Sequence, residues 1–84
     1  MTPSGLRVDQ SIDTRGRPSP ESYQQAIERL RQMTENDILE LYIDDGAALE
    51  TIPFGLRAAG HEILVSEPAQ QGVRLLVRKR ALLP

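Results

Sequence analysis

Gly16-Arg17-Pro18-Ser19-Pro20-Glu21-Ser22 separates a short alternating segment from a helical pattern. Pro20 cannot continue a strand ladder, but it fits the first turn of a helix, where a missing N–H costs nothing. The stretch therefore reads as a strand-to-helix junction. Ser19 is the expected N-cap, its hydroxyl accepting from a backbone N–H one turn on. A side chain there faces the electropositive end of a helix. Gly16 supplies backbone freedom to the loop Thr14–Pro18.

Upstream, Leu6, Val8, Gln10 and Ile12 alternate with Arg7, Asp9 and Ser11, which predicts a first strand with one buried face. Residues 1–5 are expected to be a disordered N-terminal segment, residues 6–80 one domain, and residues 81–84 a C-terminal tail. Downstream, Tyr23, Ala26, Ile27, Leu30 and Met33 fall on one helical stripe. Thr34-Glu35-Asn36-Asp37 then breaks the pattern with turn formers.

Ile38-Leu39-Glu40-Leu41-Tyr42-Ile43 is the clearest strand, with Leu39, Leu41 and Ile43 inward and Ile38, Glu40 and Tyr42 outward. Asp44-Asp45-Gly46 closes it, and the paired carboxylates read as turn chemistry because no third acid follows at a ligand spacing. Pro53 inside a helix would cost about 3 kcal/mol. A second helix is therefore expected to be capped by Thr51 and to place Pro53 in its first turn, with residues 47–50 irregular. Ile52, Leu56 and Ala59 share its buried side, and Gly60 is its left-handed end residue. A third strand spans 61–67 with Ile63 and Val65 inward, followed by a turn over 68–72. Val73, Leu75 and Val77 face inward from a fourth strand, with Arg74, Leu76 and Arg78 outward. Ile38, Tyr42, Leu64 and Leu76 are expected to form a modest apolar patch on the outer face.

The chain has 84 residues, enough for one small core. It contains no cysteine, which excludes disulfides, thiolate metal sites and thiol nucleophiles. His61 is the only histidine, so a histidine metal cluster is excluded as well. No metal or other cofactor is expected. No apolar run is long enough to span a bilayer and no signal peptide opens the chain, so a cytoplasmic location and no membrane partner are expected. Six acids and no base lie between Glu35 and Glu50, and four bases and no acid between Arg74 and Arg80. Cross-strand pairing accounts for this better than a nucleic-acid surface, since the bases have no aromatic partners. Glu40 is expected to meet Arg74 or Arg78.

The ordered set of these features resembles the TusA/SirA-like sulfur carriers. Asp13, Gly16, Ser19, Pro20 and Glu21 match the strand-end Asp, the Gly and the Cys-Pro-x-Pro motif that open that family's first helix. Asp44-Asp45, Ile52-Pro53, Gly60-His61 and Arg78-Lys79 match later family features. Together with the element order β-α-β-α-β-β, the resemblance implies an α+β fold. It is a two-layer α/β sandwich with a four-stranded mixed sheet in the order 1-2-4-3 and both helices on one face. Family members carry a persulfide on the motif cysteine and pass it to partners. Here that cysteine is Ser19, the second proline is Ser22, the preceding basic residue is Pro18, and Leu56 stands where relatives often carry another cysteine.

An alcohol cannot hold a stable per-sulfur group, so no catalytic residue is expected. The expected function is a non-catalytic, partner-binding or regulatory relative of sulfur carriers, docking to a sulfur-relay or regulatory protein. One alternative is a working sulfurtransferase in which Ser19 replaces a native cysteine. Another is a small-anion module at the first helix N-terminus. The binding candidates are Arg15, Gly16, Arg17, Ser19, Pro20, Glu21 and Ser22. A serine hydrolase would need His61 beside Ser19.

Overall fold

Strand and helix alternate as β1 (Gln10–Asp13), α1 (Ser19–Arg31), β2 (Ile38–Ile43), α2 (Ala47–Ala58), β3 (Glu62–Ala69) and β4 (Gly72–Arg78). The computed structural model describes residues 7–80; the expected disordered segment, Leu6 and the C-terminal tail lie outside the described residues. The strands form one sheet in the order β1-β2-β4-β3. β1 and β2 are parallel, and β4 runs antiparallel to both β2 and β3. Ala26, Leu30 and Met33 near α1 and Ala48, Ile52 and Leu56 of α2 join Leu39, Leu41, Ile43, Leu75 and Val77 in a single core. Both helices thus cover one sheet face, as right-handed crossovers in a sheet growing one way require.

α2 starts earlier than expected. Gly46, at φ 78°, is its N-cap, and Pro53 lies inside it. Ala48, Ile52 and Leu56 recur every four residues and are all buried, so core packing extends the helix through the proline. Pro53 has no N–H for the Leu49 carbonyl, but Leu49 is an exposed residue where water can serve. Thr51 is not a cap: its hydroxyl donates to the Ala47 carbonyl at 3.0 Å. At the far end Gly60 has φ 99°, with Gly60 N–H on Arg57 O and His61 N–H on Leu56 O at 2.9 and 3.0 Å. These are the paired bonds that close a helix through a left-handed glycine.

β3 carries an irregularity that alternation alone hides. Ile63 opposes Val77, yet Val65 opposes Leu76, leaving Leu64 without a partner. Opposed residues share a face, so this bulge turns Val65 to the outer side instead of inward beside Ile63. The outer apolar patch is also smaller than expected. Ile38 and Leu76 are buried, and only Tyr42, Leu64 and Val65 stay partly exposed there.

The charges pair across strands. Arg74 Nε donates to Glu40 Oε2 at 2.6 Å and Nη1 to Glu67 Oε2 at 2.8 Å, while Arg78 and Arg80 both reach Glu62. Glu40 lies directly across from Leu76, so its ion pair with Arg74 is diagonal. Ser11 and Tyr42 also donate to the Glu40 carboxylate. Burial pushes this carboxyl up, but those three donors outweigh burial and hold it below its ordinary value.

Candidate functional site

The loop between β1 and α1 is built from its own polar groups. Asp13, at the end of β1, accepts the Arg15 Nε and backbone N–H on Oδ1 and Arg15 Nη2 on Oδ2, at 2.9, 3.0 and 2.7 Å. The Arg15 side-chain bond, followed by its backbone bond, draws the Asp13 carboxyl down to about 2. Arg15 also donates Nη1 to the Gln70 carbonyl at 2.5 Å and stands 4.8 Å from the Tyr42 ring centroid. One side chain therefore ties the loop to the β3–β4 turn and to β2. Gly16, at φ 86°, donates its N–H to both oxygens of Asp44, at 3.1 and 3.0 Å. That bond is the work of the first carboxylate in the Asp44-Asp45 pair.

Deeper in the loop, buried Thr14 donates its hydroxyl to the Tyr42 carbonyl at 2.9 Å. Its own carbonyl accepts the hydroxyl of Ser22, also buried, at 3.2 Å. Ser22 is thus committed to the loop interior. Arg17 pairs with Glu21 at 3.0 Å on the surface. Both guanidinium groups considered for an anion, Arg15 and Arg17, are engaged by carboxylates.

Ser19 is not the N-cap. Pro18 holds that position, at φ −58° and ψ 147°, and its carbonyl accepts the Ser22 N–H at 3.0 Å. The helix opens one residue earlier than the proline rule suggests, and no side chain caps it. Ser19 becomes the first helical residue with Pro20 second, a place that tolerates proline equally well because the second N–H has no partner inside the helix. The Ser19 hydroxyl instead lies 3.4 Å from Thr51 Oγ1 on α2. Thr51 directs its proton to Ala47, so Ser19 is the donor in this long contact.

Ser19, Pro20, Tyr23, Thr51 and Gly55 line a shallow hollow of about 370 Å³ between the helix starts. Gly55 lets the helices meet: a Cβ there would come within 2.7 Å of Tyr23 Cε1, and the Tyr23 hydroxyl donates to the Gly55 carbonyl at 3.3 Å. Phe54, on the same turn of α2, is 72% exposed. Sequence reasoning missed Thr14 and Thr51 as neighbours of the motif, since neither carries a local signal of that contact. Asp13 and Arg15, two positions apart at a strand end, do carry one.

His61 serves elsewhere. Its Nδ1 accepts the Arg80 N–H at 3.2 Å, and burial, with the nearby Lys79 charge, lowers its pKa. Among the described residues no hydrogen bond joins it to Ser19, so no hydrolase-type relay is assembled. What the site offers is a hydroxyl at the start of a helix, on a loop held by hydrogen bonds to Asp13, Thr14 and Asp44.

Comparison with known proteins agrees with this geometry. A protein of Archaeoglobus fulgidus named "putative sulfur carrier protein" is 26% identical over 68 residues, covering 81% of this chain and 93% of its own length. A family model described as Sulfurtransferase TusA matches residues 10–79, from the first residue of β1 to the lysine after β4. With the motif loop, the sheet order and nearly the whole chain in register, this protein belongs to the TusA family.

Proposed function

We propose that this protein keeps the fold and partner-facing end of a sulfur carrier but not the sulfur-carrying step. The observation that carries this reading is Ser19, an alcohol at the motif's cysteine position, held at the start of α1 by a fully bonded loop. A thiol here would gain from the helix N-terminus because the thiolate is the reactive form. A serine alkoxide is out of reach at neutral pH, and an alcohol does not hold a stable per-sulfur group. The work left to the site is docking, with a cytoplasmic sulfur-relay or regulatory protein as partner. Phe54, next in sequence to Gly55 of the hollow and 72% exposed, supports docking, since a largely exposed aromatic side chain can anchor a partner surface.

Mass spectrometry after incubation with a cysteine-desulfurase persulfide donor tests the reading. The protein should gain no mass, while Ser19→Cys should gain one sulfur that reductant removes. In that transfer the thiolate introduced by Ser19→Cys attacks the outer sulfur of the donor persulfide and the donor thiolate leaves, so no external oxidant is needed. A reductant-sensitive gain on the protein with Ser19 would overturn the proposal. For the docking part, a partner captured from the native host should be lost with Phe54→Asp; retention by that variant moves the interface off α2.

A further inference from the structure

A hollow of about 590 Å³ lies away from Ser19, where the end of α1 meets the residues following α2 and β4. That volume falls within the range of small-molecule sites. Its floor is apolar, made by Tyr23, Ile27, Leu30 and Ala59. Its rim is not. Arg31, Lys79 and Arg80 line it, against a single carboxylate, Glu35.

Three features leave this rim able to receive an anion. Lys79 Nζ donates to the Met33 and Arg31 carbonyls at 2.9 and 3.4 Å, which fixes the ammonium and leaves a third N–H. Among the described residues no carboxylate pairs with it. Arg31 is engaged by Glu28 at 2.8 Å, but Arg80 reaches Glu62 only at 3.5 Å, a contact that holds little. His61, with Nδ1 accepting the Arg80 N–H, carries its neutral proton on Nε2, a further donor on the lining.

We infer that this groove binds a small amphiphilic carboxylate, its hydrocarbon body over Tyr23, Ile27 and Ala59 and its head group at Lys79, Arg80 and His61. Charge complementarity selects the anion, and the apolar floor selects a hydrocarbon body over a bare ion. The inference is independent of the sulfur reading, because no part of it involves Ser19.

Titrating decanoate, below its micellar range, into the isotopically labelled full chain tests it by backbone NMR. Saturable shifts are expected at Ile27, Ala59, His61 and Lys79. Decanol should bind at least about tenfold more weakly, the effect of losing a charged hydrogen-bonded head group. Lys79→Gln should reduce the preference for decanoate over decanol, and Ala59→Phe, which fills the floor, should weaken both. Dispersed spectra of each variant establish that it is folded, and Arg80→Gln replaces Lys79→Gln if the latter is not. Absence of saturable shifts, equal affinity for decanol, or shifts centred on Phe54 would each overturn the inference.

Discussion

Ser19 and Ser22 stand three positions apart in one motif and do opposite work. Ser19 makes one long contact on a partly exposed surface, so Ser19→Ala should change stability by no more than about 0.5 kcal/mol. A true N-cap would cost about 0.5–2 kcal/mol on the same substitution. Ser22 is buried with its hydroxyl on the Thr14 carbonyl, and Ser22→Ala should cost about 1 kcal/mol. Urea denaturation of the two variants side by side checks the order; a larger loss at Ser19 would mean that its hydroxyl caps α1 in solution. Ser19→Cys should titrate below the ordinary thiol value of about 8.5, because the helix start stabilises the thiolate. The pH dependence of iodoacetamide alkylation reads this directly, and a value at or above about 8.5 would remove the electrostatic part of the argument.

At the scale of elements, two glycines decide how closely pieces approach. A Cβ on Gly72 would run into the Ile43 carbonyl, a backbone atom at the end of β2 that has nowhere to move. A Cβ on Gly55 would press on the Tyr23 ring, which can tilt, and alanine regains about 1 kcal/mol of helix propensity. Gly72→Ala should therefore destabilise by about 1–3 kcal/mol and Gly55→Ala by clearly less. Equal losses in thermal or urea unfolding would show that the helix pair is as rigid as the two central strands of the sheet. Arg74 spans three strands, bonding Glu40 of β2 and Glu67 of β3 from β4, with Glu40 only 18% exposed. Arg74→Ala leaves that carboxylate without its cation and should cost more than Arg17→Ala, whose pair is half exposed and worth about 0–1 kcal/mol. Comparable costs for the two would show that solvent screens Glu40 as fully as a surface acid.

For the whole molecule, three groups tie stability to pH in one direction. His61 is depressed below its ordinary 6.5 by burial and by Lys79. As pH falls through 6.5 the unfolded chain takes this proton first, so stability declines until the folded value is passed. Glu40, below 4.5, and Asp13, down to about 2, are also depressed. Their stabilisation is complete above their unfolded values and is lost as pH falls through the folded ones. Asp13 is half exposed, so solvent screening reduces its share. Urea midpoints should thus fall in two stages, a shallow one beginning near pH 6.5 and a steeper one below 4.5. His61→Gln should abolish the first stage; an unchanged slope between about pH 7 and 5 would exclude His61 as its source.

Whatever depends on local periodicity was legible in the residues themselves. The α1 stripe, the inward set of β2, the αL glycine after α2 and the element order all follow from spacing, and the ordered motif set led to the 1-2-4-3 sheet. Ser19 as the departure from a thiol was legible too, because chemistry at that position needs only the residue type. Other features came from contacts between segments distant in sequence. Ala48 packs into a core that α1 and the sheet complete, and this carries α2 through Pro53 against its propensity. The Leu64 bulge changes which side chains face inward without altering the hydrophobic pattern, so alternation could not reveal it. Pro18 rather than Ser19 opens α1, with Ser22 held by Thr14 and Ser19 turned toward Thr51 on the other helix. A sequence states what each residue can do locally, and only the packed chain decides which of its possible partners is within reach.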